Sequence, residues 1–168
     1  MLKNLKKNQS AFTIIEVLIV LAIAGLIMVA VFTAVPALQR NGANTTKRSD
    51  AAKVLGAVAE FVSNNNGRVP IAADAGTIRT SANPSAAASV TVVSGFASIA
   101  QLANTDSYEV VTGAVCNSAA VAVSVPGNPN PSATSIASMA VAGSSRSYVV
   151  LFVIDAAGGN VTPQCSGS

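Results

Sequence analysis

The sequence predicts an α+β protein in which a long N-terminal helix packs on a small antiparallel β-sheet. Three observations lead to this fold class. An apolar run at 17–35 contains no charge and a single polar side chain, Thr33. A stripe of apolar residues at helical spacing follows at 51–62, and the rest of the chain alternates strand-like runs with turn sequences. The predicted helix therefore has a membrane half and an amphipathic half.

The membrane half is assigned to residues 12–36. At a rise of about 1.5 Å per residue, residues 12–35 form a helix of about 36 Å, long enough to cross a hydrocarbon core of about 30 Å. A short basic segment, 1–11, precedes it and carries Lys3, Lys6 and Lys7. An ordinary secretory signal has a shorter apolar stretch that ends at a small-residue cleavage site. On hydropathy alone, a plain signal-anchor helix remains an alternative.

Glu16 is the one charged side chain within this apolar segment. A carboxylate in lipid is costly without a partner, although the helix macrodipole favours a negative charge near the N-terminus. We expect the partner of Glu16 to be another copy of the chain; the alternative is a Glu16 that reaches the lipid headgroups.

Residues 37–66 are predicted to continue the helix as its amphipathic half. The polar segment 37–46 is the weakest part of any continuous helix. The apolar stripe beyond it must pack on the domain that follows. Its members are Ala51, Val54, Leu55, Val58, Phe61 and Val62. Ser49 or Asp50 is a candidate N-cap for this half, and the Asn-Gly run at 64–67 is expected to end it.

The remaining residues, 67–168, are assigned to a globular β-domain. A loop-rich stretch at 73–89 allows a short helix or an irregular excursion. The strand-like runs are 90–96, 108–116, 120–125, 136–141, 148–154 and a short last strand at Val161. The proline-rich run 126–131 is a loop, and 155–160 is a turn. Antiparallel pairing across short turns predicts a meander, with the helix stripe on one face.

Cys116 and Cys165 are the only cysteines, and the chain has no histidine and no CxxC to complete a metal site. In a chain that crosses a membrane, such a pair favours a disulfide; two buried thiols are the alternative. The disulfide would close a loop of about fifty residues and pin the C-terminal tail to an inner strand.

Charge and motifs argue against nucleic-acid binding and against catalysis. Without the basic segment 1–11, which we call the leader, the chain has seven bases and seven acids. The positive net charge therefore comes from the leader and does not indicate a binding surface. No nucleophile elbow, phosphate-binding loop, dinucleotide fingerprint or zinc-protease motif is present. No cofactor is predicted, apart from a calcium ion that oxygens of Asp155 and Asn160 could hold. Polar turn residues are the favoured interpretation of that pair.

The N-terminus resembles that of type IV pilins and the related pseudopilins. The resemblance rests on Lys6-Lys7, a small residue at Ala11, and the run FTIIEVLIV at 12–20. It implies that a prepilin peptidase cleaves between Ala11 and Phe12 and then methylates the amine of Phe12. Ala11 stands where the family usually has glycine. The conserved acid of the family falls on Glu16. After the implied cleavage, the new amine of Phe12 would lie one turn from Glu16 of a neighbouring helix. Their pairing would set the axial register, because any other register leaves both charges unpaired.

The same resemblance implies a function, partners and a location. The protein would be inserted in the cytoplasmic membrane, then polymerised by the pilus assembly machinery with copies of itself and minor pilins. The product would be an extracellular filament that supports adhesion, twitching motility or DNA uptake. In the family, the helix can unwind between a glycine and a proline; Gly25 matches the glycine, and Pro36 lies a little later than the usual proline. The alternatives are a pseudopilin of a type II secretion system and a monomeric, membrane-anchored extracytoplasmic binding domain.

Overall fold

The computed structural model describes residues 12–85, 88–95, 106–118, 138–156 and 160–167. Their elements are α1 (Ile14–Asn64), a 3₁₀ turn (Ala72–Asp74), α2 (Ala75–Ala82), β1 (Ser89–Ser94), β2 (Ser107–Thr112), β3 (Ala114–Cys116), β4 (Ala140–Ala142), β5 (Tyr148–Asp155) and β6 (Val161–Gly167). The chain forms two compact units, one up to Gln39 and one from Arg40 onward. The α+β class with a long N-terminal helix is confirmed.

The first unit contains the apolar part of α1 and the two residues before it; we call residues 12–39 the stem. Helix α1 is long and apolar enough here to cross a membrane, and Pro36 lies inside it. The hydroxyl of Thr33 donates a hydrogen bond to the carbonyl of Ala30, three residues earlier in the helix, at 2.9 Å. The single polar side chain of the apolar run is thereby satisfied within its own helix.

In the second unit, the apolar stripe of α1 packs on the sheet as predicted. Ala51, Val54 and Val58 are fully buried, and Ala57 joins them. The expected N-cap at Ser49 or Asp50 is wrong, because both residues lie inside the continuous helix α1. The polar segment before them is helical as well. The hydroxyls of Thr45 and Thr46 donate to carbonyls four residues earlier, and Asn44 pairs with Asp155 of the sheet.

The helix ends where the Asn-Gly run predicts. Asn66 and Gly67 have φ angles of 54° and 82°, the left-handed conformation that these residue types tolerate. The amide of Gly67 donates to the carbonyl of Val62 at 2.8 Å, the six-to-one bond of a Schellman motif. Arg68 then turns the chain: its guanidinium lies 4.9 Å from the ring centre of Phe61 and forms an ion pair at 3.0 Å with Asp74. The predicted excursion at 73–89 contains α2 and all but the first residue of the 3₁₀ turn.

The main sheet has the strand order β1-β2-β5-β6. Strands β2, β5 and β6 pair antiparallel, but β1 and β2 are parallel, so the predicted meander is wrong at this pair. The residues between β1 and β2 number about a dozen, enough for the crossover that parallel strands need. Pro163 lies in β6, where an edge strand tolerates the missing amide donor.

The run predicted as one strand at 108–116 is divided at Gly113 into β2 and β3. Gly113 has a φ of 74°, and its amide donates to the carbonyl of Ser147 at 2.7 Å. Strand β3 leaves the main sheet at this turn and pairs antiparallel with β4. The predicted strand at 120–125 and the proline-rich loop at 126–131 lie outside the described residues, as do 96 and 136–137 at the ends of two predicted runs.

Two apolar clusters cover the two faces of the sheet. The first places Tyr108, Val110 and Phe152 of the sheet against α1 and α2. The second places Val111, Val149 and Leu151 of the opposite face with Ala114 and Ala140 of the β3–β4 pair. The central strands β2 and β5 are therefore buried on both faces, which fits their near-continuous runs of valine.

Candidate functional site: the stem and the helix–sheet junction

The stem exposes a continuous apolar surface in the isolated chain. Of the 19 exposed large hydrophobic side chains in the described part of the chain, all but Ile71 and Val141 belong to it. Phe12, at the predicted start of the mature chain, is 84% exposed. Monomeric soluble proteins rarely leave contiguous apolar patches of this size uncovered, and such patches indicate contact with a membrane or a partner.

Glu16 is held by the first turn of its own helix. Thr13 precedes the first helical residue, Ile14, and Glu16 follows three positions after Thr13, the spacing of a capping box. The backbone amide of Thr13 donates to Oε2 of Glu16 at 3.1 Å, and its hydroxyl donates to the same oxygen at 2.9 Å. The other oxygen, Oε1, accepts no hydrogen bond from the described residues. Sequence reasoning missed this contact, although the T-x-x-E pattern signals it.

The remaining predicted positions of the stem stay predictions. Ala11 lies outside the described residues, so the structure does not test the cleavage point. Gly25 and Pro36 lie inside α1, and a side chain at Gly25 would meet nothing within 4 Å in the described part of the chain. Glycine is therefore not required there by packing within one chain, and a role in unwinding or in contacts with other chains remains a prediction.

The disulfide between Cys116 and Cys165 is confirmed. It joins β3 to the edge strand β6, with a Cα–Cα distance of 5.7 Å. The sequence separation of 49 residues makes this a long loop closure, and the C-terminal strand is tethered as expected. The inner strand expected as its anchor is instead β3 of the two-stranded sheet.

Asp155 joins the helix to the sheet. Its Oδ2 accepts a hydrogen bond at 2.9 Å from Lys47, whose side chain is only 9% exposed. The side chain of Asn44 pairs with the main chain of Asp155: Nδ2 donates to its carbonyl at 2.7 Å, and Oδ1 accepts from its amide at 2.8 Å. Among the described residues, no group of three His, Cys, Asp or Glu side chains could hold a metal ion. The carboxylate suggested for calcium thus has a lysine partner, and calcium binding by Asp155 and Asn160 stays a prediction.

Asp50 forms a second polar contact beside the first. It is 1% exposed, its Oδ2 accepts hydrogen bonds from the amide and the hydroxyl of Ser85, and its Oδ1 accepts one from Lys53 at 2.9 Å. Burial by itself raises the pKa of the Asp50 carboxyl, but the bonds from Ser85 and Lys53 outweigh it and hold the pKa below its ordinary value. Burial, together with the negative charges of Asp50 and Asp106, raises the pKa of the Tyr108 phenol.

Residues 6–32 match the family model of the prokaryotic N-terminal methylation motif. No curated protein and no solved structure shows significant similarity to the chain. The motif, combined with the long apolar N-terminal helix, fits a type IV pilin-like prepilin. It indicates a structural protein of the pilin and pseudopilin type, and it implies processing by prepilin peptidase and assembly into a polymer. The apolar helix is consistent with membrane anchoring before assembly at the surface.

Asp155→Ala tests the contact with Lys47. The substitution leaves a nearly buried ammonium without its carboxylate, so we expect the free energy of unfolding to fall by about 2 kcal/mol. The bonds from Asn44 persist, because they involve only the main chain of residue 155. Urea unfolding of the full chain in detergent measures the loss. The double variant Lys47→Met, Asp155→Ala should recover most of it, and a double variant as unstable as the single one would contradict the interpretation.

Asp50→Asn tests the buried carboxylate through pH. Because the folded-state pKa of Asp50 is lowered, its stabilising contribution is complete above the unfolded-state pKa of about 4 and is lost as pH falls through the folded value. We expect the variant to be less stable at pH 7 and to lose less stability than the wild type between about pH 4 and pH 2. Denaturation curves at several pH values measure both effects. Glu60→Gln removes an exposed carboxyl and is the control; a wild-type acid slope in Asp50→Asn would refute the assignment.

Proposed function

We propose that the protein is a structural subunit of a type IV pilus, cleaved before Phe12, N-methylated and polymerised through its stem. The observation that carries this proposal is the methylation motif at 6–32 on a helix whose apolar side chains are exposed in the single chain. A bilayer covers that surface before assembly, and the stems of other copies cover it in the filament. The finer roles, in adhesion, twitching motility or DNA uptake, are properties of the filament and belong to this proposal.

Register in the polymer is assigned to Glu16. In the single chain, both hydrogen bonds from Thr13 fall on Oε2. The methylated amine of Phe12 on a neighbouring copy can therefore approach Oε1 while the bonds from Thr13 stay in place. An amine and a carboxylate buried among apolar stems are stable only when paired, so one axial offset between copies is favoured over all others.

A pseudopilin of a type II secretion system is the second candidate. The methylation motif supports both classes equally, because it covers only the stem. The tethered C-terminal strand and the near-zero charge of the mature chain favour the pilin. The monomeric anchored domain is disfavoured by the motif, since anchoring alone requires neither the cleavage nor the methylation that the motif implies.

Processing is tested on surface appendages sheared from cells of the source organism. We expect the main band of the assembled material to begin at Phe12 and to carry one added methyl group. Intact-protein mass spectrometry, with fragmentation of the N-terminal peptide, measures both. A Met1 terminus in assembled material would overturn the proposal, and a genomic neighbourhood of secretion-pore genes would favour the pseudopilin.

Glu16→Ala tests polymerisation separately from membrane insertion. Removal of the carboxylate leaves the apolar span intact, so we expect wild-type amounts of membrane-inserted protein and a loss of about tenfold or more in filament yield. Thr33→Val is the matched control in the same segment, because the Thr33 hydroxyl bonds only within its own helix among the described residues. Wild-type filament yield from Glu16→Ala would support the monomeric alternative instead.

A further inference from the structure

Arg48 and Glu60 are two exposed charges of α1 that have no ionic partner among the residues that the structure describes. All seven acids of the chain lie in described ranges, as do the seven bases beyond the leader. Ion pairs join Lys47 to Asp155, Lys53 to Asp50 and Arg68 to Asp74. Neither Arg48 nor Glu60 forms an ion pair within the described part of the chain, and both side chains are exposed. Although only 10% of its residues are charged, the chain thus keeps Arg48 and Glu60 exposed on one helix without mutual contact.

Helix geometry prevents these two charges from pairing within one chain. The positions three and four residues from Arg48 are Asn44, Thr45, Ala51 and Ala52, and those from Glu60 are Gly56, Ala57, Ser63 and Asn64, none of them charged. Twelve residues separate the two side chains, which is about 18 Å along the axis. At 3.6 residues per turn, each lies about 120° from the centre of the buried stripe, on opposite sides of it. Arg48 and Glu60 therefore lie on opposite edges of the outward face of α1.

Glu60 stands at the rim of a groove between α1 and α2. The groove has a volume of about 260 Å³ and is lined by Phe61 and Asn64 of α1 and by Thr77 and Ile78 of α2, among others. A guanidinium group is small enough to enter it, and a carboxylate with neighbouring amide groups offers the acceptors that its planar donors require. The Phe61 ring already receives one guanidinium, that of Arg68.

We infer that Arg48 of one copy seats on Glu60 at this groove in a second copy of the chain. The inference rests on the proposed polymer. Two complementary sites that lie on different sides of one subunit form a heterologous contact, and such contacts repeat without closing when the symmetry is helical. Arg48 and Glu60 give each copy one exposed cation and one exposed anion on different sides of α1, so every copy inside the filament can satisfy both of these charges. Arg40, the other base of this part of the helix, is half-buried and lies on the side of the buried stripe.

A charge swap in the full-length protein tests the contact in cells that assemble the wild-type filament. We expect Arg48→Glu and Glu60→Arg each to lower the yield of sheared filaments by about tenfold or more, because each places like charges together at every subunit contact. The double variant Arg48→Glu, Glu60→Arg restores opposite charges and should return the yield to within about threefold of wild type. The amount of full-length protein in the membrane should not change in any variant, since both side chains are exposed.

Arg146 supplies the matched controls. It is exposed in the turn before β5 and forms no ion pair within the described residues. Arg146→Glu changes the net charge as Arg48→Glu does and should leave the yield near wild type. The double variant Arg146→Glu, Glu60→Arg has the net charge of the swap without the proposed pair, and should stay as defective as Glu60→Arg alone.

The outcomes distinguish a failure of the Arg48–Glu60 contact from a failure of the proposed function. Wild-type filaments together with a swap that fails to recover would overturn the contact and leave the proposed function standing. Loss of yield from Arg48→Glu with no effect of Glu60→Arg would also overturn it, in favour of an anionic lipid as the partner of Arg48. If processed wild-type protein forms no filaments where other subunits do, the proposed function fails, and the contact fails with it.

Discussion

The uncovered apolar surface of the stem is the constraint on which the rest of the protein depends. Each large apolar side chain gains about 1.5–3 kcal/mol when it leaves water, so a surface of this length must be covered. Lipid tails and neighbouring stems cover it equally well, and neither specifies a position along the helix. A single carboxylate in such a surface supplies what apolar packing lacks. Its cost without a partner is large in both environments, and so Glu16 is proposed to select among arrangements that are otherwise similar in energy.

The contact with Thr13 explains how the carboxylate is tolerated before a second chain arrives. The two bonds from Thr13 satisfy Oε2 and two donors at the helix start, where the macrodipole also favours a negative charge. Because Oε1 accepts no hydrogen bond from the described residues, the proposed amine of another copy would add a bond and displace none. The same conformation of Glu16 is therefore compatible with membrane insertion and with assembly, the two stages that the motif implies.

Periodic features were predictable from the sequence, and long-range pairings were not. The stripe at 51–62, the helix end at Asn66–Gly67 and strand β5 follow from local spacing and residue type. The parallel pair β1–β2 was missed, because alternation fixes which face is buried and leaves the strand order open. The contacts of Asp155 with Asn44 and Lys47 span 111 and 108 residues. No pattern in a single sequence links polar residues so far apart, and so the roles of Lys47 and Asp50 inside α1 came only from the structure.

These polar contacts act on the second unit as Glu16 is proposed to act between copies. The apolar stripe of α1 holds the helix against the sheet, but alanine and valine side chains pack at comparable cost in neighbouring registers. A slide by one helical turn, about 5.4 Å, would separate Lys47 from Asp155 and Asp50 from Ser85, leaving charges buried without partners. One register along the sheet is therefore favoured mainly because every other register would bury unpaired charges. The attraction within each polar contact contributes less. That fixed register also holds the groove of α1 and α2 beside Glu60 in place. An exposed charge can recognise another copy only from such a constant position, whereas one on a sliding helix would offer each neighbour a different surface.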